Sequence, residues 1–248
     1  MDNNIIKEFF DNPYSEEYIK YCNALIRQNV TAISVSCKLL EDFIMHNIND
    51  GGTELVDDII FRCRELMRGA VFGDLLSAKN SDMIYVSTDV FVGEFVAGCR
   101  EVLGDKVAVS VAEKSGSFVK TDETVLRYLL LEFIRNVSVS GNLPLEMLVG
   151  STYSENGNAR IYISVKPDDA DCGRTSEIPG DEDVLRLLSE KIGVTCMWED
   201  DSFVVEFSEM KDYIDPVLRC RPYFPSDGTF SAYSIMLSGM INNDEQIF

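Results

Sequence analysis

The feature that most restricts the fold of this chain is a stripe of apolar residues at heptad spacing near its start. After Ser15, whose hydroxyl can cap a helix, the steps between apolar positions are seven residues, then four and three in alternation. These positions are Ile19, Ile26, Val30, Ile33, Cys37, Leu40 and Ile44. Such spacing is typical of a helix that packs in a bundle.

A second amphipathic helix is predicted from Thr53, after the break "NDGG". Its apolar face includes Val56, Ile59, Ile60, Cys63, Met67 and Ala70. Two helices joined by a short glycine-containing turn form an antiparallel hairpin. One hairpin cannot bury two apolar stripes, so we predict a homodimer in which two hairpins form a four-helix bundle.

The pattern changes after Lys79, where short alternating segments typical of strands interleave with helical segments. The order predicts an α/β sandwich with one open sheet. We therefore predict an α+β chain with three parts: a helical hairpin over 1–79, the sandwich over 80–211, and an irregular docked tail over 212–248. Three prolines in the tail argue against regular structure there.

Composition excludes several classes of function. The chain has 22 Lys and Arg against 42 Asp and Glu, a net charge of -20, so a nucleic acid would be repelled. Seven cysteines without a C-x-x-C pair, and a single histidine, argue against a zinc site and are typical of reduced core thiols. We find no signal peptide and no apolar run long enough to span a membrane, so we expect a cytoplasmic location without membrane insertion.

The order of elements resembles the cytoplasmic core of two-component sensor histidine kinases. "NALIRQNVTAI" is similar to the family's H-box, and "VLRYLLLEFIRNVSVSG" is similar to its N-box. The resemblance implies that residues 1–79 form a dimerisation and phosphotransfer hairpin. It implies that residues 80–211 form a histidine-kinase-like α/β sandwich, the ATP-binding domain of the GHKL or Bergerat type.

Several positions depart from the motifs of this family. With "TAI" as the anchor, the phosphoacceptor position falls on Ala24, and its neighbour Asn23 also lacks an imidazole. The one histidine, His46, lies 46 − 24 = 22 residues further on, which is about 33 Å along a helix. In the N-box, Glu132 stands at the first Asn, whereas Asn136 matches the second, which binds magnesium in the family.

The family's D-x-G-x-G motif, whose Asp contacts the adenine amino group, has an imperfect counterpart here. The best match begins at Asp171 and keeps Gly173, but Thr175 replaces the second glycine. Asp168 and Asp169 compete with Asp171 for the adenine-binding role. The resemblance thus gives Asn136, Asp171 and Gly173 as candidate nucleotide residues, with Asn136 as the magnesium ligand.

The glycine-rich run that approaches phosphate in the family is reduced to Gly180, and acids occupy 181–183. Carboxylates at a helix N-terminus take the partial positive charge that phosphate would use. Asn136 alone cannot hold magnesium, which needs several oxygen ligands. We interpret Asn136 as a remnant of a nucleotide site, or as a polar group that ends its helix before Gly141.

These features favour a degenerate histidine-kinase-like protein with no catalytic residue and no cofactor. It would act as a dimeric adaptor whose partner is a response regulator or a histidine kinase. The alternative is a GHKL-type ATPase or kinase that still binds Mg-ATP through Asn136 and Asp171. A histidine phosphotransferase is a third hypothesis, which the missing acceptor weakens. The tail's "FSAYSIMLSGM" could cover an edge strand of the sheet or the nucleotide cleft.

Overall fold

The computed structural model describes residues 16–47, 53–78, 83–139, 146–166, 182–199, 202–211 and 231–237. The chain divides into two compact units, Met1–Asn80 and Ser81–Phe248. Two of the candidate nucleotide residues, Asp171 and Gly173, lie outside the described residues, as do Gly180 and Asp181.

The first unit consists of two helices, α1 (Glu16–Asn47) and α2 (Thr53–Ser77). They run antiparallel, because Asn23 near the start of α1 contacts Asp74 near the end of α2. Their shared core consists of Val30, Cys37, Val56, Ile60, Cys63, Met67 and Ala70. The helical hairpin predicted from the heptad pattern is confirmed.

Some apolar side chains of each helix are not buried within this hairpin. Ile33 and Leu40 on α1 are 46% and 48% exposed, and Ile59 and Leu66 on α2 are 40% and 55% exposed. The two pairs share a seven-residue spacing, so each forms a ridge along its helix. We define these four residues as the seam.

The second unit contains two sheets and four helices among the described residues. In chain order its elements are β1 (Ile84–Ser87), α3 (Thr88–Leu103), β2 (Ala108–Val111), β3 (Phe118–Thr121), α4 (Glu123–Val139), β4 (Glu146–Tyr153), β5 (Ala159–Lys166), α5 (Glu182–Ile192), β6 (Val194–Glu199), β7 (Ser202–Phe207), β8 (Met210–Lys211) and α6 (Ala232–Leu237). A single 3-10 turn, Gly104–Lys106, follows α3.

The larger sheet has the order β2-β4-β5-β7-β6, in which β2 lies parallel to β4 and the other neighbours are antiparallel. A separate antiparallel sheet has the order β1-β3-β8. The expectation of one open sheet is therefore wrong in detail. The chain after Val111 follows β4 only briefly, through bonds from Ala112 to Val149 and from Ser151 to Glu113, and then leaves that sheet to pair with β1.

Helix α4 is the centre of this unit and is buried along most of its length. Its Phe133 ring stacks on Phe203 of β7 with a centroid separation of 4.2 Å, and lies 5.5 Å from the ring of Trp198 on β6. Asp122 caps the helix, since its Oδ1 accepts bonds from the backbone N–H groups of Thr124 (3.0 Å) and Val125 (3.2 Å).

The tail contributes α6, whose main contacts are with α3 and α4. The described part of the tail is thus a helix on the helical layer, not an irregular segment along an edge strand. Its buried side chains explain this placement, because they need an apolar surface rather than a strand ladder. None of the described helices is long and apolar enough to cross a membrane.

Candidate functional site

The residues that match the N-box lie on one face of α4 near its C-terminal end. Asn136 is 5% exposed, and Glu132, one turn earlier, is 1% exposed. The carboxylate Oε1 of Glu132 lies 4.0 Å from Nη1 of Arg135. A buried carboxylate thus stands one turn from the amide that would bind magnesium, where the N-box of the family has a neutral amide.

Helix α5 begins with acidic residues in the sequence. Helix α5 starts at Glu182, and Asp183 follows in its first turn. Acidic side chains are favoured at this position by the helix dipole.

The segment of α1 that matches the H-box makes a polar contact with α2. Ala24 is exposed, whereas Asn23 is only 7% exposed. The Nδ2 of Asn23 donates to Oδ1 of Asp74 over 2.8 Å, and the guanidinium of Arg27 contacts Oδ2 of the same carboxylate. The approach is close, because a Cβ on Gly73 would lie 2.7 Å from Nδ2 of Asn23. This level of the hairpin holds a hydrogen-bonded clamp between the two helices, formed by Asn23, Arg27 and Asp74.

Asp74 was missed by sequence reasoning. It lies 51 residues from Asn23, and its neighbours in sequence form no motif. In the sequence, the sign of this contact is a charged residue near the end of the apolar pattern of α2.

His46 lies in the last turn of α1, which ends at Asn47. Ala24 lies on the same continuous helix, 22 residues earlier, which is about 33 Å at the usual helical rise. His46 and the acceptor level of the hairpin are therefore separate.

A cluster of hydroxyl groups, also missed from the sequence, joins the start of α3 to the segment before β3. The Oγ of Ser115 lies 3.1 Å from Oγ1 of Thr88, 2.8 Å from Oγ of Ser117 and 3.2 Å from Oγ of Ser151. Ser151 also lies 3.4 Å from Oδ1 of Asp89. The groups satisfy one another, so the cluster is a polar anchor for this segment. Within the described ranges, no group of three or more His, Cys, Asp or Glu side chains could hold a metal ion.

Comparison with known proteins supports the fold. No protein-family model and no curated protein match the chain. Full-length ShkA in complex with AMPPNP is similar, with a TM-score of 0.53 and 16% identity over 78% of this chain and 46% of that one. This chain has a histidine-kinase-like core. It spans less than half the length of ShkA.

Two further solved structures are similar to this chain at lower TM-scores. The Acinetobacter baumannii histidine kinase AdeS has a TM-score of 0.47 and 11% identity over 73% of this chain and 95% of that one. The ATP-binding domain of PrrB from Mycobacterium tuberculosis has a TM-score of 0.40 and 14% identity over 50% of this chain and 95% of that one. The fold class predicted from the sequence, a helical hairpin followed by a histidine-kinase-like sandwich, is confirmed by the order of the described helices and strands and by the similarity to ShkA.

Proposed function

We propose that this chain is a catalytically inactive histidine-kinase-like protein that acts as a dimeric cytoplasmic adaptor in two-component signalling. The observation that carries the proposal is at the acceptor level of α1. Ala24 offers no nucleophile, and the amide of Asn23 is held by Asp74 at 2.8 Å. A chain without an acceptor can act on a phosphorelay through binding alone.

The second support is electrostatic. Glu132 is buried one turn from Asn136, and acids open α5 at Glu182. The acids at the start of α5 add negative charge where the family binds Mg-ATP, and the whole chain already carries a net charge of -20. We infer that, as a consequence, the chain has lost nucleotide binding.

The surface of α1 supports a role in protein binding. Between residues 21 and 37 the one charged residue is Arg27, and Asp74 pairs with it. Exposed apolar side chains on this stretch include Leu25 at 40% and Val35 at 53%. An uncharged helical surface on so acidic a chain suits a protein partner, and we propose a response regulator or a histidine kinase.

The alternative function is a GHKL-type ATPase or kinase that binds Mg-ATP. The placement of Asn136 at the end of a buried α4 favours it, as does the AMPPNP bound in the similar ShkA structure. Under this alternative, Asn136 would hold magnesium, and Asp171 with Gly173 would contact adenine.

A thermal-shift measurement with millimolar Mg-ATP separates the two functions. A ligand present at 100 times its Kd stabilises the folded state by about 2.7 kcal/mol, which raises Tm by a few degrees in a chain of this size. We expect no shift. A shift that Asn136→Ala or Asp171→Ala abolishes would establish the alternative, and a shift that neither changes would place the nucleotide elsewhere.

Phosphotransfer is tested with an active histidine kinase or a phosphorylated response regulator. We expect no acid-labile phosphate on this chain. Label that disappears in His46→Ala would contradict the proposal and identify His46 as the acceptor.

A further inference from the structure

Helix α6 lies on the helical layer of the second unit through a small set of side chains. Tyr233, Ile235, Met236 and Leu237 are all buried, the last at 0% exposure. Its main contacts are with α3 and α4, the helix that carries Asn136. The surface of α3 and α4 beneath α6 is therefore an apolar groove that is filled by the chain's own tail.

One position in this groove is shaped for an aromatic ring. A Cβ on Gly98 of α3 would lie 2.4 Å from Cε2 and Cζ of Tyr233, closer than any real contact. The ring of Phe95, one turn earlier on α3, lies 5.9 Å from the Tyr233 ring. Glycine is unfavourable inside a helix, so its presence here is explained by the close approach of the ring.

The helix itself is short. It has six residues and is capped by Ser231, whose Oγ accepts a bond from the backbone N–H of Ser234 over 3.1 Å. A helix of this length does not persist in water without tertiary contacts. Helix formation and docking are therefore one event, and such units open locally while the rest of a domain stays folded.

We propose that the groove around Gly98 is a helix-docking site, and that residues 231–237 occupy it reversibly while the rest of the second unit stays folded. The anchor is Tyr233 against Gly98, with Met236 and Leu237 one turn further on the same helix face. Release would uncover α4 on its outer side. This inference does not depend on whether the protein binds nucleotide or a signalling partner.

Native-state hydrogen exchange on the full wild-type chain tests reversibility. We expect the amides of residues 234–237 to exchange at least about tenfold faster than those in the middle of α4, because they open without global unfolding. Equal protection in α6 and α4 would mean that the helix is an integral part of the core, and the proposal would fail.

A second experiment tests the groove with a labelled peptide of residues 229–239. The full-length variant Tyr233→Ala weakens the internal occupant, so we expect it to bind the peptide at least about tenfold more tightly than the wild type does. The matched control adds Gly98→Val to that variant, which fills the space for the ring and should abolish binding. Equal binding to wild type and both variants, or no binding to a folded Tyr233→Ala variant, would overturn the assignment. If Tyr233→Ala does not fold, the exchange measurement on the wild type decides.

Discussion

Replacement of Ile33 by aspartate tests the proposed dimer at the seam. Ile33 is 46% exposed in a single hairpin, so pairing would bury about half of a side chain whose full burial gives about 1.5–3 kcal/mol. Ile33→Asp loses about 1 kcal/mol of this, and a carboxylate placed in an apolar contact costs about 1–3 kcal/mol more. A symmetric dimer contains two such sites, so the total is about 4–8 kcal/mol, or at least about a thousandfold in Kd.

Sedimentation equilibrium at micromolar concentration measures this effect. We expect a dimer for the wild type and a monomer for Ile33→Asp. Val35→Asp is the matched control: it adds the same charge two residues away, at a position 53% exposed and about 200° round the helix, and should remain a dimer. The prediction that the seam forms the dimer contact would be refuted by a monomeric wild type, by a dimeric Ile33→Asp variant, or by a monomeric Val35→Asp variant.

Three further changes test the described contacts. Phe133→Ala removes a ring at 0% exposure and should lower the free energy of unfolding by about 3–5 kcal/mol, measured in urea with the single tryptophan, Trp198, as the probe; a loss below about 1 kcal/mol would contradict the packing. Asp74→Ala should cost about 1–2 kcal/mol, because it removes the acceptor of a buried amide, and an unchanged stability would contradict the clamp. Hydrogen bonds from Asn158 and Arg160 lower the pKa of Glu206 in the folded protein. The ionised carboxylate therefore stabilises the fold above its unfolded pKa, and this contribution is lost as the pH falls through the folded pKa. The difference in the free energy of unfolding between wild type and Glu206→Gln should be larger at pH 7 than at about pH 3, and a difference that does not change with pH would contradict this reasoning.

The elements of this fold could be predicted because each is marked by a local pattern. Heptad spacing identifies α1, an apolar face after the break "NDGG" identifies α2, and short alternating segments among helical ones identify the second unit. From the order of these elements, the resemblance to histidine kinases predicted the fold, and the comparison with ShkA supports that prediction.

The candidate site could be predicted only in part. The H-box match predicted that position 24 carries no acceptor, since that follows from the residue type. The match to the N-box identified Asn136 as a candidate site residue. It did not predict that Glu132 is buried one turn away, because that burial depends on the elements that pack around α4. For Asp171 and Gly173 the nucleotide roles stay predictions.

By itself, the sequence determined which residues form helices and strands, which helix faces are apolar, and that an alanine stands at the position matched to the phosphoacceptor. These are properties of neighbouring residues and of residue type. Tertiary structure alone decided which distant groups meet: Asn23 with Asp74 across the hairpin, and Gly98 with Tyr233 across the helical layer. An apolar pattern indicates that a face will be covered, because burial is favourable and non-directional, but it does not specify the covering residues. Hydrogen bonds and close ring contacts specify which residues meet, because they are short and directional. They form only once the backbone has brought their partners together.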